Sequence, residues 1–200
     1  MVGQNLLPNF ALSTGNYMKK IFIIATILIM AANFYCHFHH RGDTRTPYSE
    51  FQTRIGMAPM KEYHDSDFGY SIQYPCFFQQ EEKTQDDFWG HARFCYTNHT
   101  NIILESYVTK NLSKDLTTSA DSLAKILHAD KTLNPAHSAF ILSGPVYENG
   151  VRMDGYSHYD KFIKSGKMLF VYSLTYPDTY KPTLNRLFKL ITDWKVLGAN

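Results

Sequence analysis

Met168-Leu169-Phe170-Val171-Tyr172-Ser173-Leu174-Thr175-Tyr176-Pro177 decides the fold. Side chains alternate along an extended chain, so Met168, Phe170, Tyr172, Leu174 and Tyr176 share one face. Leu169 and Val171 fall on the other. Apolar residues on both faces predict a central strand covered on each side. Pro177 ends it, because proline cannot donate to a sheet ladder.

Working back from this strand, Lys164-Ser165-Gly166-Lys167 is a hairpin-sized turn that joins it to a strand over Met153–Ile163. Ser138–Ser143 is another strand, with Phe140 and Leu142 pointing one way and Ile141 the other. Gly144-Pro145 and Glu148-Asn149-Gly150 read as turns. Further back, Tyr70–Pro75 has the period of a half-buried strand, and Phe88–Tyr96 and Ile102–Val108 are two more. Gln79–Asp87 is polar and acidic, so a loop is expected there. Thr118-Ser119-Ala120-Asp121 is a capping box, and Ala120, Leu123, Ala124 and Leu127 form the apolar stripe of the helix behind it. After Pro177, Leu184, Leu187, Phe188 and Ile191 form a second helical stripe, and Trp194 and Val196 follow in an extended or frayed tail. The order predicts an α+β fold with a mostly antiparallel sheet.

The pattern resembles the PsbP-like and Mog-like families of small α/β/α sandwich proteins. The pieces that carry the resemblance are Phe68-Gly69-Tyr70-Ser71-Ile72-Gln73-Tyr74-Pro75, Phe140–Gly144, Gly155-Tyr156 with Tyr159-Asp160-Lys161, and Leu174-Thr175-Tyr176-Pro177 before the last helix. The match covers about residues 66–196 and lies in order and spacing. This chain departs from the pattern at Glu81–Asp87 and in its two cysteines. The resemblance implies a mostly non-enzymatic protein, with no catalytic residue or cofactor to carry over. Some members assist photosynthetic complexes, some bind a small GTPase, and many are envelope proteins.

The N-terminal part says where the chain works. Met18-Lys19-Lys20 precedes Ile21–Ala32, an apolar run with Thr26 as its one polar member. Together they form the n-region and h-region of an export signal, with Met18 as the expected start. Three fates are open. Cleavage near Ala31–Tyr35 would release the chain; lipidation of Cys36 would tether it. The run of eighteen residues from Ile21 to Phe38 could instead stay as an anchor, near the lower limit for a spanning helix. Each fate exports the rest, to the periplasm or the outer face of a bacterial membrane. The expected organisation is a tail and signal over 1–36, a polar linker over 37–60 and a folded domain over 61–200. The net charge of +2, without cationic clusters, argues against nucleic acid as a partner. Fourteen tyrosines and fourteen phenylalanines are enough for a sizeable core.

Few residues suggest chemistry. If Tyr70–Pro75 and His91–Tyr96 pair as a hairpin, Cys76 and Cys95 sit opposite one another, and export permits a disulfide. His37, His39 and His40 lack a second ligand set, so no metal is expected. His158 and Asp160 share a strand face with Tyr156; acid-base work would need a pocket there, and polar residues on the exposed half of a hairpin are the expected reading. No phosphate loop, HExxH or nucleophile elbow is present in the sequence. Tyr147, Tyr156, Tyr159 and Tyr180 are the candidate binding face. The reading is an exported, non-enzymatic binding or assembly factor for another envelope protein. Two alternatives stand beside it: a carrier of a lipid or small apolar ligand, which would need an internal apolar cavity, and an exported hydrolase.

Overall fold

The structure, a computed structural model, describes residues 46–82, 88–111, 113, 115–134 and 138–196. The export signal, Cys36, His37, His39, His40 and the core of the acidic loop, 83–87, lie outside the described residues. In chain order the elements are α1 (Pro47–Met57), β1 (Met60–Asp65), β2 (Tyr70–Pro75), β3 (Gln79–Gln80), β4 (Trp89–Tyr96) and β5 (Ile102–Lys110). They continue with α2 (Leu116–Leu127), β6 (Asp130–Leu133), β7 (Ala139–Glu148), β8 (Val151–Ser165) and β9 (Met168–Pro177). A 3-10 turn (Asp178–Thr183) and α3 (Asn185–Asp193) complete the described chain.

Strand β9 is the fourth of seven in the order β3-β4-β5-β9-β8-β7-β6, so both its edges are paired. Every neighbouring pair is antiparallel. Its two faces feed two cores, as the alternation predicts. Phe170, Tyr172, Leu174 and Tyr176 pack with Phe51 and Ile55 of α1, Tyr70 and Ile72 of β2, and Leu187 and Ile191 of α3. Leu169 and Val171 pack with Phe140, Leu142, Phe162 and the α2 residues Leu116 and Ala120. Leu123, Ala124 and Leu127 of the predicted stripe lie against this second core. The result is a helix–sheet–helix sandwich. The α+β class and the layering expected from the sequence both hold.

The connections follow local chemistry. Asn149 and Gly150 have φ of 51° and 79°, the left-handed pair that a two-residue hairpin turn needs. Gly144-Pro145, read as a turn, instead lies inside β7. Proline is tolerated there because β6 pairs only as far as Ser143, and the β7–β8 register shifts between Pro145 and Tyr147.

Three further expectations are corrected. Within the polar stretch 37–60, read as a linker, the described part is helical over Pro47–Met57. Thr46 caps it by accepting from the Ser49 amide, Pro47 opens it, and Phe51 and Ile55, one turn apart, are buried. Second, β2 pairs with β1 in a separate two-stranded sheet rather than with β4. Third, α2 starts at Leu116, and its cap is Asp115, not Thr118. The Asp115 carboxylate accepts from the Thr118 amide and the Thr118 hydroxyl, each at 2.7 Å.

Those two bonds, the amide first, hold the Asp115 carboxyl below its ordinary range. A carboxyl depressed on folding stabilises the native state above its unfolded pKa and loses that contribution as pH falls through the folded value. The urea midpoint advantage of wild type over Asp115→Ala is therefore expected to be full above about pH 5 and to shrink below about pH 4. An advantage that stays constant down to about pH 2 would rule out the charged cap.

Candidate functional site

Because β2 pairs with β1 on one edge only, its other edge faces α3 across a groove of about 620 Å3. Met60, Glu62 and His64 line one wall, two residues apart on the same face of β1. Tyr70, Ile72, Tyr172 and Trp194 lie beneath and are buried. Arg186, Lys189, Leu190, Asp193 and Lys195 form the wall opposite. Helix α3 supplies this wall because Leu187 and Ile191 turn into the core, leaving Arg186, Lys189 and Asp193 on the other side.

Register fixes which backbone groups reach the groove. The Cys76 amide donates to the Pro59 carbonyl at 3.0 Å, continuing the β1–β2 ladder. Pairs that exchange bonds alternate along an antiparallel ladder, so Tyr70, Ile72 and Tyr74 bond to β1 while Ser71 and Gln73 face away from it. The Ser71 carbonyl accepts from Trp194 Nε1 at 2.8 Å, and the Gln73 carbonyl accepts from the Tyr172 hydroxyl. The Trp194 ring meets Tyr70 and Tyr172 edge-on, with centroids 6.1 and 5.5 Å apart. Trp194, expected in an extended or frayed tail, has φ -58° and ψ 138° and is part of the packed structure. Lys161 holds it there, donating to the carbonyls of Thr192 and Trp194 at 2.5 and 2.6 Å. At the other end of α3, Arg186 Nη1 donates to the carbonyls of Ile55 and Ala58, at 3.0 and 2.7 Å. A cation suits these otherwise unpaired groups at the end of α1.

A second polar cluster lies on the α2 side of the sheet. His158 Nδ1 is 2.7 Å from Asp160 Oδ2, and the Ser173 hydroxyl donates to Asp160 Oδ1 at 2.5 Å. The three are only 7–8% exposed, so the exposed hairpin face expected of His158 and Asp160 is corrected. The cross-strand pair Asp160–Ser173 brings them together. Nucleophilic catalysis needs the base on the nucleophile, but here both histidine and serine bond to the carboxylate. Next to it, burial first and then the charge of Asp160 push the Tyr107 hydroxyl up. His158 Nε2 is buried without a hydrogen-bond partner among the described residues.

The candidate tyrosines do not form one surface. Tyr180 is buried, its ring 5.3 Å from Tyr48 and 5.4 Å from Phe51. Tyr159 is half-buried against Phe188, with its hydroxyl on Thr192 at 2.9 Å. Tyr147 lies 4.6 Å from the ring of His128, the residue that caps the end of α2. Tyr156 sits opposite Pro177 in the β8–β9 register.

Cys76 and Cys95 are free thiols, so the expected bridge is not formed. The hairpin that would have placed them opposite one another does not exist, since β4 pairs with β3 and β5. Burial above all, with a hydrogen bond donated to the Glu81 carboxylate, pushes the Cys95 thiol up to about 11. Ellman's reagent at neutral pH, mapped by mass spectrometry, should label Cys76 in the native protein and Cys95 only after unfolding. Equal rates would mean that β4 opens readily.

No group of three or more His, Cys, Asp or Glu among the described residues could hold a metal ion. No described helix is long and apolar enough to cross a membrane.

The sequence matches no protein-family model and no curated protein. Among solved structures, the Ran-binding protein Mog1p of Saccharomyces cerevisiae matches with a TM-score of 0.53 at 10% identity, over 70% of this chain and 97% of its own. Cyanobacterial PsbP of Synechocystis gives 0.48 at 12% identity, over 70% and 93%. LpqN of Mycobacterium tuberculosis, involved in cell envelope biogenesis, gives 0.43 at 14%, over 75% and 95%. With Mog1p as the match that carries it, the chain has the PsbP-like/Mog-like fold.

Proposed function

We propose that this chain is an exported, non-enzymatic binding or assembly factor, and that another protein of the bacterial envelope docks in the groove between β2 and α3. The observation that carries this reading is the kind of space the molecule offers. The groove is open at the surface and is walled by Glu62, Arg186, Lys189, Asp193 and Lys195. A carrier of an apolar ligand would instead enclose it away from solvent. Between sheet and helices the described side chains are close-packed, with Phe94, Tyr172, Leu174 and Leu187 at 0% exposure. Hydrolysis lacks support because Ser173 is buried and bonded to Asp160 rather than to His158. Mog1p, whose name describes it as Ran-binding, gives one instance of this fold serving a protein partner. Export rests on Met18-Lys19-Lys20 and the apolar run behind it.

The test is capture from bacterial membranes by the full chain, with mass spectrometry of proteins and extracted lipids. One envelope protein should be enriched and then lost with Gln73→Trp, which fills the groove from an exposed strand position. A stoichiometric lipid with no protein would overturn the reading in favour of a carrier. Capture that Gln73→Trp leaves intact would move the docking surface elsewhere.

A further inference from the structure

We propose that the occupant of the groove is an acidic, extended segment of the partner protein. This rests on the docking role just proposed and adds the chemistry of what docks. The edge of β2 is unusual in what it leaves unpaired. Its carbonyls at Ser71 and Gln73 are taken by Trp194 and Tyr172, whereas the amides of the same two residues have no partner among the described residues. Ordinary strand addition uses donors and acceptors alternately from one edge. This edge offers donors alone, so it suits a ligand rich in oxygen acceptors. The two amides repeat at about 6.8 Å along the strand, the spacing at which an extended chain presents alternate carbonyls.

The facing wall points the same way. Arg186, Lys189 and Lys195 stand along it, against one carboxylate, Asp193, which Lys189 already pairs at 2.7 Å. Arg186 is bonded to carbonyls that carry no net charge, so its own charge is uncompensated by them. Glu62 is the carboxylate on the β1 wall, and it opposes an anionic occupant. His64 adds Nδ1 at 3.0 Å from the Ser71 hydroxyl. Half-buried Met60 and Leu190 give the aliphatic parts of such a segment something to pack on.

The opposed signs of Lys195 and Glu62 make the proposal testable. The probes are a ten-residue peptide of alternating Glu and Ser and its Lys-Ser counterpart. Binding is read at low salt from Trp194 emission in the full chain carrying Trp89→Phe, which removes the other tryptophan. The Glu peptide should saturate the signal and the Lys peptide should not. Lys195→Glu should weaken the Glu peptide by about tenfold, and Glu62→Gln should tighten it by about threefold. Both residues are exposed, so neither change threatens the fold. Absence of Glu-peptide binding, equal binding of the two peptides, or an affinity indifferent to Lys195→Glu would each overturn the proposal. So would free glutamate reproducing the whole response at the same carboxylate concentration, which would mark an adventitious ion only. The docking role falls separately, through the membrane capture. Capture that is lost with Gln73→Trp but survives Lys195→Glu would keep the groove and discard the acidic occupant.

Discussion

Phe51→Ala is expected to lower the unfolding free energy by about 3–5 kcal/mol, measured by urea unfolding of the full chain. Phe51 has 0% exposure although it sits in a stretch that reads as a linker. Its ring lies 5.0 Å from Tyr96, 5.4 Å from Tyr180 and 6.1 Å from Phe77. Those partners come from β4, from the turn after β9 and from the loop after β2, so they cannot collapse together into the space left behind. The cost should therefore sit at the upper end for a cavity. The same contacts mean that a chain begun at residue 60 exposes Tyr96 and Tyr180 and leaves Arg186 without the α1 carbonyls. It should be less stable than one begun at residue 46 by more than Phe51→Ala alone. Equal stability would show that α1 is an appendage.

Asp160→Ala should cost about 3 kcal/mol. The carboxylate accepts from both His158 and Ser173, and all three are nearly enclosed. Removing it leaves two buried donors with nothing to bond, and each bears most of its own desolvation penalty. The prediction has a second arm that a simple loss of packing would fail. The triple change His158→Phe, Asp160→Leu, Ser173→Ala removes donors and acceptor together, so it should cost less than Asp160→Ala alone. If the triple variant proves the worse of the two, the cluster is worth more than its desolvation, and cooperative polarisation within it would be the reason.

What could be read from the sequence follows how local each signal is. Strand β9 was legible because its alternation puts large apolar residues on both faces within ten positions. Helix α3 was legible from the i, i+3, i+4 and i+7 spacing of Leu184, Leu187, Phe188 and Ile191. Helix α1 was missed because its inward stripe is short, Tyr48, Phe51 and Ile55, and lies between Pro47, Gly56 and Pro59. The Thr46-Pro47 start signal was present but had only three inward positions behind it to give it weight. The partner of β2 was missed because β1 carries Lys61, Glu62 and His64, and reads as polar. The groove lies beyond any local pattern. Its floor bond joins Ser71 to Trp194, 123 positions apart. The polar side of α3 was the signal available, since Arg186, Lys189 and Asp193 complement the apolar stripe.

The placement of β9 and α3 also sets when this chain can fold. They come last among the described regular elements, yet β9 lies between β5 and β8, and α3 holds the end of α1 through Arg186. A nascent chain that stops at Ser165 has two half-sheets with no strand to join them and a helix α1 that lacks Tyr180 and Arg186. The folding transition therefore waits until β9 and α3 have both been made. On the export reading, this delay would keep the polypeptide a loose thread for as long as a secretion channel needs one.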